Sequence, residues 1–184
     1  MRIEVHVHGS IHLCKGVTLA QVENALRKWL DYLDVEHIAE AHSLEQSEPG
    51  IEFDRASRVL DICWTGEVGR SFRRRLQEAM EDIGLLAERA SEIELTTYHD
   101  DGRDEFQLLF VGPTPEAIHQ AQRQRMVEDV SSLLSRHFGQ AAVARVAGVV
   151  NELFDQDWVE KGAEAEPNSL PSGSLVHFRR KHLH

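Results

Sequence analysis

The chain has 184 residues, of which 41% are hydrophobic, and a formal net charge of −11. That length suits one domain, or one domain with an appendage, and the composition allows a real hydrophobic core. An acidic body repels nucleic acid and anionic membranes, no apolar run is long enough to cross a bilayer, and two cysteines are too few for a disulfide scaffold. We therefore expect a cytoplasmic protein with neither a membrane nor a nucleic acid as its partner.

Strands and helices are predicted to alternate along the first 112 residues. Apolar and polar residues alternate over 3–8, which is the period-two pattern of a half-buried strand. Thr18 and Gln21 form a capping box that begins a first helix, and the apolar stripe of this helix continues to Leu33. Further strands are predicted at 51–53, 59–65, 92–98 and 106–111, with a hairpin turn at 100–102 and a second helix from Phe72 to Ile83 that Gly84 ends.

Two long helices are predicted after these strands. Thr114, Pro115 and Glu116 are a typical helix start, with a capping hydroxyl, a proline in the first turn and an acid beside it. This helix is expected to reach Phe138, with a core face in its second half, and the next spans about 140–158. Because the connection between them is short, we expect an antiparallel pair.

The order of these elements predicts an α+β fold. Strand, helix, two strands, helix and strand is the order of a ferredoxin-like βαββαβ sandwich, here with an added hairpin strand and a C-terminal antiparallel helix pair. We expect one domain over residues 1–160, with a sheet-plus-helices core at 1–112 and the helical pair at 114–160. Residues 161–184 are predicted to be a linker and a basic tail. The apolar side of the first strand should pack against the helices while its histidines face the opposite way.

The first candidate site is on the first strand. Glu4, His6 and His8 are two residues apart, so their side chains share one face of the strand. Two imidazoles and a carboxylate are ligand types that zinc and other transition metals prefer. The alternative is a plain polar face on a half-exposed strand. Depending on register, later strands could add Asp61, Cys63 or Glu94 to the same face.

The pattern Glu4-x-His6-x-His8 resembles the opening strand of two enzyme families. The amidohydrolases carry His-x-His there, and the PHP phosphoesterases carry Asp-x-His-x-His. The resemblance covers five residues and implies a hydrolase that uses a metal-activated water. Those enzymes are larger barrels with further ligands on later strands, whereas this chain has Glu4 in place of the Asp and an element order that does not predict a barrel.

The second candidate site is the arginine-rich segment 70–75 at the start of the second helix. Cations at a helix N-terminus oppose the macrodipole at a cost of about 0.3–1 kcal/mol each. A bound phosphate or carboxylate would offset this cost, since free backbone N–H groups are available there. The alternative is a solvated face in which arginines pair with acids, such as Arg74 with Glu78 at i,i+4. The candidate residues are Arg70, Ser71, Arg73 and Arg74.

Three functions follow from these features. The leading hypothesis is a non-enzymatic interaction or regulatory protein that forms a homodimer, because the helical pair and the tail offer surfaces to a partner. The second is a metal-dependent hydrolase that uses the Glu4, His6 and His8 face, with a divalent metal as the one cofactor. The third is a small-anion or nucleotide-binding module at segment 70–75. The tail is expected to dock on an acidic surface or to be disordered.

Overall fold

A computed structural model describes residues 3–99 and 102–164 of the chain. These residues divide into two units, the first ending at Thr114 and the second beginning at Pro115. The elements of the first unit are β1 Ile3–His12, α1 Leu19–Ala25, α2 Arg27–Leu33, a 3₁₀ turn Ile38–Glu40, β2 Gly50–Asp54, β3 Val59–Val68, α3 Phe72–Gly84, β4 Ser91–Tyr98 and β5 Glu105–Val111. The elements of the second are α4 Pro115–Ser135 and α5 Gln140–Glu164.

The five strands form one antiparallel sheet in the order β2-β3-β1-β4-β5. The predicted α+β class is therefore confirmed. Strand β1 lies in the middle and pairs with β3 on one side and β4 on the other. It continues through Gly9 to His12, beyond the apolar–polar alternation that predicted it.

The helices α1, α2 and α3 contribute their apolar sides to one hydrophobic core with the sheet. Val5 and Val7 of β1 are buried in the same cluster as Trp29 of α2 and Phe72 of α3. His8, which alternates with these valines, is exposed. The prediction that the apolar side of β1 packs against the helices while its histidines face away is confirmed.

The first predicted helix begins with the capping box and is divided in two. The Thr18 N–H donates to the Gln21 side-chain oxygen at 2.9 Å, and the Gln21 N–H donates to the Thr18 hydroxyl at 3.3 Å. The predicted cap is therefore confirmed. Leu26, with φ −81° and ψ 0°, separates α1 from α2 while its side chain stays fully buried.

Thr18→Ala is expected to lower the free energy of unfolding by about 1 kcal/mol, because the Gln21 N–H loses its side-chain acceptor and the Gln21 side chain loses the Thr18 hydroxyl as a donor. Urea denaturation followed by circular dichroism measures the change. Ser47→Ala is the matched control, since the Ser47 hydroxyl is exposed and has no hydrogen bond among the described residues. The control should change stability by less than about 0.5 kcal/mol. Equal losses in the two variants would contradict a role for the capping box.

Helix α3 includes the glycine that was predicted to end it. Gly84 is the last residue of the helix rather than the residue just beyond it, and its φ is not positive, so the predicted glycine cap is wrong. A Cβ on Gly84 would lie 2.8 Å from the carbonyl oxygen of Gly112, just after β5. The close approach of these two backbones, rather than a cap, therefore explains the glycine.

Helices α4 and α5 form an antiparallel pair, as predicted. His119, early in α4, donates a 3.1 Å hydrogen bond from Nε2 to the Phe154 carbonyl late in α5, and the centroid of its ring lies 4.6 Å from that of Trp158. Arg123 bonds the Asn151 side chain at 2.6 Å and Asp155 at 2.7 Å. Polar and aromatic contacts thus join this end of the pair.

The C-terminal ends of both helices differ from the prediction. Helix α4 ends at Ser135, before Phe138, and α5 continues to Glu164, past its predicted end near Trp158. No α4 side chain is buried, so the predicted core face is wrong for this helix. Periodicity predicts an apolar stripe, but it does not establish that another element covers it.

Two predicted features lie outside the described residues, namely the turn at 100–101 and the segment beyond residue 164 with its basic tail. Within the described part of the chain, none of the helices combines the length and the apolar character needed to span a bilayer.

Candidate functional site

The register of the sheet gathers polar side chains around the histidines of β1. His6 lies opposite Thr65 on β3 and Thr96 on β4. His8 lies opposite Cys63 and Glu94 on the same two strands. Since directly paired residues project to the same side, these groups share the face that points away from the core.

Glu48 reaches this face from the loop that precedes β2. The loop is fastened to β3, because the Leu44 N–H donates to the Thr65 carbonyl at 2.7 Å and the Trp64 indole N–H donates to the His42 carbonyl at 3.0 Å. A loop, rather than a strand, therefore positions Glu48 over the centre of the sheet.

His6, Glu48 and Cys63 form a cluster that we call the His6 cluster. The His6 Nδ1 atom is 3.2 Å from Glu48 Oε1 and 2.9 Å from the Thr65 hydroxyl. The side chains of His6 and Glu48 are 23% and 16% exposed. One ligand atom from each of the three residues lies within 4.8 Å of the other two.

The remaining predicted metal ligands are not brought into this cluster. Among the described residues, His6, Glu48 and Cys63 are the only three potential ligands that meet in this way, and Glu4 and His8 are not among them. The rings of His6 and His8 stack with centroids 6.0 Å apart, and both His8 and Glu4 are exposed. The predicted face therefore exists, but its three residues do not converge on one point.

The surroundings of the His6 cluster shift two pKa values in opposite directions. Burial alone would raise the pKa of Glu48, but hydrogen bonds from Ser43 and Thr65 and the charge of His6 together hold that pKa below its ordinary value. Burial, with the negative charge of Glu48, raises the pKa of the Cys63 thiol. Without an ion the thiol is therefore protonated at neutral pH and is a poor nucleophile.

The predicted anion site at the start of α3 is partly paired with acids. Arg73 lies 3.7 Å from Glu105 and Arg75 lies 3.3 Å from Glu78, so Arg75 rather than Arg74 is the partner of Glu78. Arg70 and Arg74 have no hydrogen bond or ion pair within residues 3–99 and 102–164. The side chain of Ser71 occupies the N-cap position but makes no capping hydrogen bond. An anion at this helix start stays a prediction.

The sequence matches a protein family over most of its length. The match is to DUF6806, a family of unknown function, and it covers residues 3–155. This chain belongs to DUF6806. No curated protein and no solved structure matches it.

The DUF6806 match contains both candidate sites and most of the helical pair. It includes the His6 cluster, the arginine segment at 70–75 and all of α4, together with α5 as far as Asp155. The description of DUF6806 names no activity. The function of this member therefore has to be inferred from its side chains.

Glu48 is the residue of the His6 cluster that sequence reasoning did not find. Cys63 was a possible additional ligand because strand register could place it beside the histidines. Glu48 lies in a segment with weak patterning, and no local motif connects it to β1. The one informative signal would have been the docking of its loop on β3, which depends on tertiary structure.

Proposed function

We propose that this DUF6806 protein acts as a homodimeric interaction or regulatory protein in the cytoplasm, rather than as an enzyme, and that α4 and α5 form its dimer interface. The observation that carries the proposal is that α4 and α5 expose apolar side chains to solvent and bury almost none between them. Within residues 115–159 no side chain is buried. The apolar side chains that are between 40% and 69% exposed are Leu133, Phe138, Val146, Val149, Leu153 and Val159.

Two helices alone cannot cover such a surface. Each helix of an antiparallel pair turns only part of its circumference toward the other, so an apolar stripe wider than that contact stays in water. Clusters of exposed apolar residues on soluble proteins mark interaction surfaces. Four helices, two from each copy, would enclose these stripes as the core of a bundle.

A second copy is the partner that we favour over a different protein. Closed two-fold dimers are the commonest soluble oligomers, and in them one patch contacts the same patch on the other copy. Leu133 and Phe138 lie near the connection between the helices, and Val146, Val149 and Leu153 recur at helical spacing along α5. Charges of both signs accompany them on α5, where Arg145 precedes Val146 and Glu152 precedes Leu153. Such a surface can pair with itself without a concentration of like charges.

We also propose that the first unit is a ferredoxin-like βαββαβ sandwich. The strand order supports that topology, because β3 lies between β1 and β2, and β1 lies between β3 and β4. Each helical crossover thus spans an inserted strand, as in the split βαβ motif, and β5 adds a fifth strand beside β4. An experimental structure with a different strand order would contradict this assignment.

Two observations support the cytoplasmic, non-enzymatic part of the proposal. Cys14 and Cys63 are both free thiols, as expected in a reducing compartment. The raised pKa of the Cys63 thiol works against nucleophilic catalysis at the most clustered polar site. Activity screening of the purified protein against ester and phosphoester substrates should give no turnover, and measurable hydrolysis lost in His6→Ala would contradict this part.

The dimer is tested by light scattering on the purified full chain. We expect a mass of twice the 20.9 kDa chain. Leu133→Glu combined with Leu153→Glu should weaken dimerisation by at least about 30-fold, since burying unpaired charge at an interface costs about 2 kcal/mol or more.

Leu85→Glu is the matched control for this experiment. Leu85 is 74% exposed but belongs to the first unit, just after α3. The same apolar-to-acidic change there should leave the dimer intact. A monomeric wild-type chain, or equal dissociation in the control, would overturn the proposed interface.

A further inference from the structure

We infer that His6, Glu48 and Cys63 bind one divalent transition metal ion of the zinc type on the polar face of the sheet. All three residues belong to the first unit, whereas the proposed dimer interface belongs to the second. They come from β1, from the loop before β2 and from β3, so the fold rather than a local motif brings them together.

The distances match what such an ion requires. Nitrogen and oxygen ligands lie about 2.0–2.1 Å from a tetrahedral zinc ion, which places two of them roughly 3.3 Å from each other. His6 Nδ1 and Glu48 Oε1 are 3.2 Å apart. The Cys63 sulfur belongs to the group whose ligand atoms lie within 4.8 Å of one another. An ion can therefore join the first two ligands with little movement, and the Cys63 sulfur is near enough to be drawn to it.

The donor set selects the class of metal. One imidazole, one carboxylate and one thiolate combine the ligand types of zinc and cobalt, whereas magnesium and calcium prefer oxygen alone. Binding converts the Cys63 thiol to a thiolate and releases its proton to solvent. Three protein ligands leave a fourth tetrahedral position for a water or for a group from a partner molecule.

Outer hydrogen bonds hold the Glu48 ligand in place. The Thr65 hydroxyl donates to Glu48 Oε1 at 3.1 Å, and the Ser43 hydroxyl donates to the other Glu48 oxygen. The Thr65 hydroxyl also lies 2.9 Å from His6 Nδ1, a contact that is lost when this nitrogen binds the ion. Ser43 in turn accepts the Thr65 N–H at 2.8 Å. Such partners orient metal ligands, and their loss costs typically about 10- to 100-fold in metal affinity.

A simpler explanation makes a different prediction for Cys63. His6, Thr65 and Glu48 could form a hydrogen-bonded network that needs no ion. In that case the Cys63 thiol takes no part in the network, and its replacement changes neither metal affinity nor the spectrum of a bound metal. The experiment therefore has to detect a bond between the Cys63 sulfur and the metal.

Co²⁺ is a suitable probe, because its absorption spectrum shows whether a thiolate is bound to it. Titration of the untagged, reduced full chain with Co²⁺ should saturate at one equivalent and produce the thiolate-to-cobalt charge-transfer absorption in the near ultraviolet. Zn²⁺ should abolish this absorption by displacing the cobalt. Cys63→Ser should remove the charge-transfer band, and His6→Ala and Glu48→Gln should each weaken Co²⁺ binding by at least about 10-fold.

Cys14→Ser is the matched control, because Cys14 is the other free cysteine and lies outside the cluster. It should keep the band and the affinity of the wild type. Circular dichroism checks that each variant is folded, and Cys63→Ala provides a second variant without a sulfur. Absence of the band from the wild type, or its persistence in a folded Cys63 variant, would overturn the metal site while leaving the dimer proposal untouched.

Discussion

Trp29→Ala is expected to lower the free energy of unfolding by about 3–5 kcal/mol, because removing a buried indole leaves a cavity that its neighbours fill only in part. Trp29 is fully buried on α2. Its ring meets Trp64 of β3 edge-on at 5.7 Å and Phe72 of α3 at 6.3 Å. The substitution thus removes the side chain that joins both helices to the sheet. Small domains are stable by only about 5–15 kcal/mol, so the variant should retain little of its free energy of unfolding.

Urea denaturation monitored by far-ultraviolet circular dichroism measures this loss. Trp29→Phe should cost much less, since it retains an aromatic ring and removes an indole N–H that has no acceptor among the described residues. Leu19→Ala is the exposed control, because Leu19 is 47% exposed at the start of α1. A loss for Trp29→Ala no larger than that of Leu19→Ala would show that the indole does not hold the layers together.

Gly9→Ala is expected to cost about 2–4 kcal/mol, from backbone strain and overpacking together. Gly9 has φ +154° in the middle of β1, a conformation that favours glycine. A Cβ there would lie 2.6 Å from the carbonyl oxygen of Glu92 and 2.7 Å from the Ile93 side chain. Because one of these neighbours is backbone, β4 would have to move away from β1.

Gly16→Ala separates the two contributions. Gly16 has φ +91°, yet a Cβ on it would meet nothing within 4 Å. This variant therefore reports strain alone, at about 1 kcal/mol. Thermal unfolding of the two variants side by side should give the larger decrease in Tm for Gly9→Ala. Equal decreases would mean that the approach of β4 to Gly9 contributes nothing.

The parts of the fold that were predicted correctly depend on local patterns. The alternation from Ile3 to Val7 predicts a strand with one buried side, and the Thr18–Gln21 pair predicts the start of α1, because both effects act within a few residues. Gly9 lies in β1 but beyond the alternation that predicts this strand. Its real neighbour is β4, and no local pattern contains that information.

The candidate site could be predicted only where it follows from strand register. His6 and Cys63 lie near each other because β1 and β3 are neighbours, and the sequence left both open as ligands. Glu48 could not be predicted, since it depends on hydrogen bonds between its loop and β3. The same limit applies to α4, whose apolar stripe is evident in the sequence while its exposure is not.

The central position of β1 has a consequence for synthesis on the ribosome. Both hydrogen-bonding neighbours of this strand are encoded much later, at Val59–Val68 and Ser91–Tyr98. As the chain emerges, β1 therefore has no strand to pair with until β3 has been translated, and both neighbours are present only when most of the first unit has been made. Pairing between strands so distant in sequence is slow. During that interval the valines of β1 stay outside the core that they join in the folded unit.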